Sequence, residues 1–552
     1  MKNILTKVLS LLLVFSLIFM MSPSAFADSV GGEVSARVDA SEGDLEEPLW
    51  NDTVYVADYT QLADAVKQAG SNNTCINLTD NIETTATLTV GKNQTLKITS
   101  EEGPFYIKTT AVNVSVINNS GMLWLENVKI TGGNVNNTSI KYAGGITSSG
   151  TLVLTSDTLI HGNTGASYGG GVYNTGLLIM RNNGSVNENY AYMSNSYDYN
   201  YGHGGGVFNS GTFIMRDSSQ ISKNTATKRG GGVFNTNKFI IENGSIDHNF
   251  SPWGGGVYNE NGSSYATFDM LNGKIEYNSA RYGGGVYCIK TNSNMYNDSS
   301  VSYNEASDSG GGIYNKDYVT LTIYDNSTVS HNKTDYYGGG VYNQNSAFIM
   351  DGGTISNNTV TYGGGGVYFV LSKFTMKGNA QIADNTAGDY GGGIYFHGSN
   401  GYDPILPIYY VNFIDSPIIK NNKAGKGGGI YLDRYAAINI DSCVISGNVA
   451  SDCGGGIYVN EKSTINTFGV VITGNTANQG GGIYNYESNI NVGGSTIISQ
   501  NTAWWNGGAI YSYKQISNYG KTKVFENAMI SENISGGYGG GIYHFEFSHL
   551  FY

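Results

Sequence analysis

Three glycines followed by Val or Ile and then Tyr or Phe return thirteen times between Gly169 and Tyr543. The aliphatic position is taken by Val172, Val207, Val233 and so on to Ile542, with degenerate copies at Ile146 and Ile510. Most copies recur after 24 to 29 residues; three intervals are longer, at 35, 36 and 32. A fixed period of this size is the mark of a stacked, quasi-one-dimensional repeat.

A second marker keeps phase with the first. Ile or Val, two further residues and then Asn precede each glycine run, from Asn163 through Asn304 and Asn332 to Asn533. The unit reads Ile-Ser-x-Asn-Thr-Ala-x-x-Gly-Gly-Gly-Val-Tyr-Asn, followed by a polar loop and a short apolar strand such as Phe213-Ile214-Met215. Gly, Asn, Ser and Asp separate the apolar pieces, and these are turn formers.

Helices do not fit such a unit, because glycine costs about 1 kcal/mol relative to Ala in a helix interior. Three short strands and three turns per roughly 27 residues describe one coil of an all-β, right-handed parallel β-helix, a solenoid with strands stacked about 4.8 Å apart. The Val or Ile of the glycine motif is expected to point inward. The glycines serve a tight corner through positive φ and close approach. The Asn column is expected to occupy a turn, to tolerate left-handed geometry and to bond from coil to coil. Insertions at residues 190–203 and 397–412 are expected to leave the rod as loops. Two other glycine-rich architectures are excluded: calcium-binding nonapeptide repeats need an Asp and a period of nine, and collagen needs glycine at every third position.

The chain divides into a signal segment 1–27, an acidic leader 28–52, a cap with the first coils 53–125, and the repeat region 126–552. Lys2 and Lys7 precede the apolar run Val8 to Met21 and the small-x-small site Ala25-Phe26-Ala27, the form of a secretory signal. The compartment read from this is secreted or extracellular, with cell-surface association as a variant. Seven acids against one base between 28 and 50 predict a disordered leader. Removing the signal takes away two lysines, so the charge becomes −13 − 2 = −15. That balance argues against nucleic acid as a partner. No later apolar stretch is long enough to span a membrane. A short capping helix is expected from Thr60, as N-cap, through Lys67, with Leu62, Ala65 and Val66 on one face. It would cover the open end of the rod. The aromatic ending after Tyr543 reads as a repeat interrupted before it closes, and so as a truncated chain or a docking end; the plainer reading is a tail that folds back and plugs the last coil.

Of the four cysteines, only Cys443 and Cys453 lie close enough around one coil to be considered as a disulfide. Cys75 and Cys288 lie many coils apart.

The paired markers Gly-Gly-x-Ile/Val-Tyr-Asn and Ile-x-x-Asn resemble the repeats of the polymorphic membrane proteins and of adhesin-like right-handed β-helix proteins. The start at Val54-Tyr55-Val56-Ala57 resembles the opening of pectin-lyase-like β-helices. The resemblance covers about residues 130–545 and implies the fold together with an adhesin-like role. The chain departs in two respects. It carries Ile or Val three residues before Asn, where the membrane proteins usually have Phe four before. It also shows no outer-membrane barrel or cell-wall sorting signal.

Two surfaces carry candidate chemistry. Seven residues before the Asn column stand Asp217, Glu242, Asp325, Asp351, Asp415 and Asp441, three adjacent-coil pairs that at about 5 Å could share a calcium ion. The plainer reading of that column, which also holds Asn182, Asn297, Gly378 and Gly494, is a turn. The residue after the inward Val or Ile should face outward, giving a column that includes Tyr258, Tyr287, Tyr314, Tyr342, Tyr368 and Tyr395 as a ligand surface. The plain reading there is an aromatic ladder that stiffens the sheet. No catalytic constellation is assigned, and an enzyme is the less favoured class. The expected role is an adhesion or interaction scaffold for a host or bacterial surface glycan or protein. A polysaccharide lyase or glycoside hydrolase of the β-helix type is the alternative.

Overall fold

The structure is a computed structural model and describes residues 45–136, 143–165, 167–192, 201–262, 266–398, 411–514 and 520–546. The signal segment, most of the acidic leader, parts of both insertions and the last six residues lie outside these. The compact unit that begins at Trp50 is a parallel β-helix.

The chain enters through β1 (Asp52–Val56), turns through α1 (Tyr59–Ala69), and returns as β2 (Asn73–Leu78), parallel to β1. The helix starts earlier than Thr60. Asp58 is the N-cap, its Oδ1 accepting the Gln61 N–H at 2.9 Å, while Gln61 Oε1 accepts the Ala57 N–H at 2.8 Å. This reciprocal pair satisfies donors that Thr60, already inside the helix, cannot reach. Leu62, Ala65, Val66 and Ala69 are buried and form the apolar face of α1.

From there each coil presents three faces. The glycine face carries strands such as Val172–Asn174 and Val341–Gln344, paired in register from Leu88–Val90 to Ile542–Glu546. The long face carries two short strands per coil, for example Thr212–Met215 and Gln220–Ser222, within a 29-stranded sheet. From Ala437 onward the first of the two continues as a separate 4-stranded sheet. The short face is a 15-stranded sheet of very short strands such as Thr225–Ala226. In the described residues α1 is the only α-helix.

The inward columns follow the sequence period. Val172 pairs with Val207, Val207 with Val233 and Val233 with Val257, all fully buried. Against them the long face stacks Phe213, Phe239 and Phe268 with centroids 4.7 and 5.2 Å apart. The glycine triplets hold the corner between the short and glycine faces. The first takes positive φ, as at Gly310 (68°). The second needs space: a Cβ on Gly311 would lie 2.6 Å from the carbonyl oxygens of both Gly339 and Lys333.

The Asn column is stacked and buried as the period implies, but the left-handed step falls elsewhere. The residue before each ladder Asn takes it, including Lys223, His248, Tyr277, Tyr303 and His331 (φ 53–57°). The ladder Asn is held in place by its amide bonds to the neighbouring coil, so the turn is displaced onto its predecessor. Left-handed geometry is unusual for bulky side chains.

Candidate binding face

The six candidate tyrosines lie outside the core, as strand alternation requires, yet they do not present open ring faces. Tyr258, Tyr287, Tyr314, Tyr368 and Tyr395 are only 3–8% exposed, and Tyr342 is half-buried. Each ring is covered by its copies above and below. From Tyr258 to Tyr368 the centroid spacings are 5.0, 4.8, 4.4 and 5.2 Å with interplanar angles of 5–14°. Tyr282 and Tyr337, which precede glycine runs, pack against the same column. Burial pushes the phenols of Tyr258, Tyr287, Tyr314, Tyr342 and Tyr395 up, Tyr342 to about 12, so these remain neutral donors.

The stack is interrupted at Tyr395. Its ring stands at 71° to Tyr368 and 73° to Tyr431, whereas the neighbouring pairs of the column are stacked. The cause is Asp433, buried one coil along. Tyr395 Oη donates to Asp433 Oδ2 at 2.8 Å, Asn460 Nδ2 donates to Oδ1 at 2.8 Å, and His397 Nδ1 lies 3.3 Å from Oδ2. Burial by itself would raise the Asp433 carboxyl. The hydrogen bonds from His397, Asn460 and Tyr395 outweigh it and hold the group below its ordinary value. This cluster fixes the orientation of a ring.

Two of the three carboxylate pairs do not stand level from coil to coil. Met215 pairs with Ile241, so Arg216 comes level with Glu242 and grips it from Nε at 2.7 Å and Nη2 at 3.0 Å. Asp217 instead accepts the Asn182 N–H at 3.3 Å. Asp351 stands beside Tyr324 and Lys377, with Lys377 Nζ at 2.8 Å, while Asp325 stands beside Gly352 and accepts the Asn297 N–H at 3.0 Å. Asp415 and Ser416 both adopt positive φ (60° and 58°); one coil on, Ser442 does (51°), whereas Asp441 is in a strand beside Phe468. The pairs 217/242 and 325/351 are therefore offset by about one residue. Counting back from the Asn ladder missed this because the turn joining the two long-face strands changes length between coils. Among the described residues no group of three or more His, Cys, Asp or Glu side chains is placed to hold a metal ion.

Cys443 and Cys453 are not joined. Cys443 faces the main core and Cys453 lies in the tyrosine column, on the other side of the chain wall.

One exposed aromatic strip was not singled out from sequence. His248, Tyr277, Tyr303 and His331 stack with centroids 5.2, 5.1 and 4.8 Å apart on the outside of four successive coils. Tyr277 and Tyr303 are nearly half exposed. The available signal was their shared position, one residue before the ladder Asn. His161, by contrast, lies in a strand, and burial lowers its imidazole.

Residues 442–460 match the Chlamydia polymorphic membrane protein repeat. The matched segment spans the Ile-x-x-Asn marker, the glycine triplet and Ile457-Tyr458, one corner of one coil. No curated protein matches the chain. No described helix is long and apolar enough to cross a membrane.

Proposed function

We propose that this chain is a secreted or surface-displayed adhesin-like scaffold that engages a surface glycan or protein along its lateral faces. One observation carries the reading. Outward aromatic side chains stand in columns parallel to the stacking direction, as in His248–Tyr277–Tyr303–His331, so the contact area offered is extended. The match of residues 442–460 to a polymorphic membrane protein repeat supports the same class. The sparse charge of the chain, 13% of residues, suits neutral polar partners.

The test is adherence of beads coated with the full chain to epithelial cells, bacterial cells and immobilised mucin. Saturable adherence that soluble chain competes away is the expected result. Release of new reducing ends or unsaturated sugars from a polysaccharide panel, without adherence, would put the lyase or hydrolase reading in its place.

A further inference from the structure

Trp504 and Trp505 differ from the tyrosine column in one decisive respect. They are 66% and 56% exposed, and among the described residues no ring or cation stacks on either indole. They owe this placement to an irregularity in strand pairing on the short face. Ala477 pairs with Ala503 and Gln479 with Asn506, so one residue, Asn478, stands opposite two tryptophans. A bulge of this kind re-aims the side chains it carries.

The next coil leaves room beside them. Ala503 pairs with Ser535, which brings Gly536 and Gly537 alongside the two tryptophans. A Cβ on Gly536 would lie 2.3 Å from the Trp504 carbonyl oxygen, and one on Gly537 would lie 2.5 Å from that of Trp505. Only glycine fits there, and glycine puts no side chain beside the indoles. Ser535 Oγ donates to the Trp505 carbonyl at 2.7 Å and steadies the bulge. Polar amides rim the site. Asn478 donates to the Ser451 carbonyl at 2.8 Å, and Asn506 Oδ1 accepts the Tyr538 N–H at 2.8 Å. A further short-face strand, Ile534–Ser535, lies beyond the pair, so its exposure does not arise from the last coil.

We propose that Trp504 and Trp505 form a platform on which the apolar face of a neutral sugar ring in a surface polysaccharide stacks, the flanking amides taking its hydroxyls. The proposal deepens the scaffold reading and rests on it. Open indole faces offer the flat apolar area that such a ring needs, with amide donors and acceptors at the edge. The stacked tyrosines cannot offer this, because their faces are already occupied by one another.

The full chain is titrated with soluble glucan, mannan, galactan and N-acetylglucosamine oligomers, followed by indole fluorescence and calorimetry. Saturable binding of at least one glycan with a blue shift is expected. Trp504→Ala and Trp505→Ala should each weaken it about tenfold, and Trp504→Phe less. Both side chains are exposed, so the melting temperature should hardly move; that measurement separates lost binding from lost folding. Binding that survives in the double variant, or no binding to any of the glycans, overturns the platform. Adherence lost in the double variant but unchanged after periodate oxidation of the target surface would mean a protein partner, and also overturns it. Intact adherence in the double variant would leave the scaffold reading standing without the platform; absence of adherence by the unmodified chain would remove the scaffold reading itself.

Discussion

The backbone N–H and the side-chain Nδ2 of Asn332 both donate to the same oxygen, Oδ1 of Asn358, each at 3.0 Å. Nδ2 donates a second time, to the Val301 carbonyl at 2.9 Å. Asn332 is 1% exposed, and its own Oδ1 receives the same double bond from Asn304. The amide thus has one acceptor and one donor group, both in use. Asn332→Asp keeps the shape but replaces the donor with a carboxylate facing two acceptors in a dry site. We expect a loss of more than about 3 kcal/mol, read as a lowered melting temperature, while Asn357→Asp at the neighbouring solvent-side position changes little. Equal melting of the two variants would deny the ladder this role.

Gly311 and Gly378 separate two reasons for glycine. Gly378 has φ 61°, and a Cβ there would meet nothing within 4 Å, so Gly378→Ala meets only the left-handed backbone penalty, about 1 kcal/mol. Gly311→Ala drives a methyl group against two carbonyl oxygens of the next coil. It should cost at least twice as much, because stacked backbones have little freedom to part. Urea titration of both variants decides this; a larger loss at Gly378 would contradict the close-approach argument.

Asp433 predicts an acid-sensitive region. Its folded carboxyl titrates below the ordinary 3.8, so its stabilisation is complete above that value and is lost as pH falls through the folded value. Between about pH 5 and about pH 3 the unmodified chain should lose more stability than Asp433→Asn, which has no proton to take up there. Parallel acid-dependence curves for the two chains would remove Asp433 from this role.

The four cysteines are buried thiols. Burial pushes Cys288 up to about 12 and raises Cys443 and Cys453 as well. A thiol reagent near neutral pH should therefore label the folded chain slowly and the urea-unfolded chain fully. A reductant should leave the melting temperature unchanged. A drop on reduction would reveal a bridge that the separation of Cys443 from Cys453 does not allow.

Calcium chelation is expected to leave the melting temperature unmoved. Asp351 is held by Lys377 and Glu242 by Arg216, while Asp217 and Asp325 accept backbone N–H groups of the preceding coil. Stabilisation by added calcium that disappears in an Asp325→Asn, Asp351→Asn double variant would reverse this view.

The repeat period alone determined the coil, its inward Val and Ile columns and its stacked Asn spine, since each follows from a local pattern of apolar and turn-forming residues that returns in phase. A separate local pattern, a capping residue followed by Leu62, Ala65 and Val66 on one face, placed a helix near the start of the rod. Tertiary structure decided what depends on the neighbouring coil. Whether Tyr314 is open or covered is set by Tyr287 and Tyr342 at 4.8 and 4.4 Å, residues some 27 positions away. Whether Asp325 meets Asp351 is set by the length of one turn, and a single residue was enough to put Gly352 opposite Asp325 instead. The open indoles of Trp504 and Trp505 depend on a bulge against Asn478 and on glycines of the next coil. Periodicity fixes which way a strand residue points; what it meets there is a property of the stack, because coil-to-coil register shifts with every insertion or deletion in a turn.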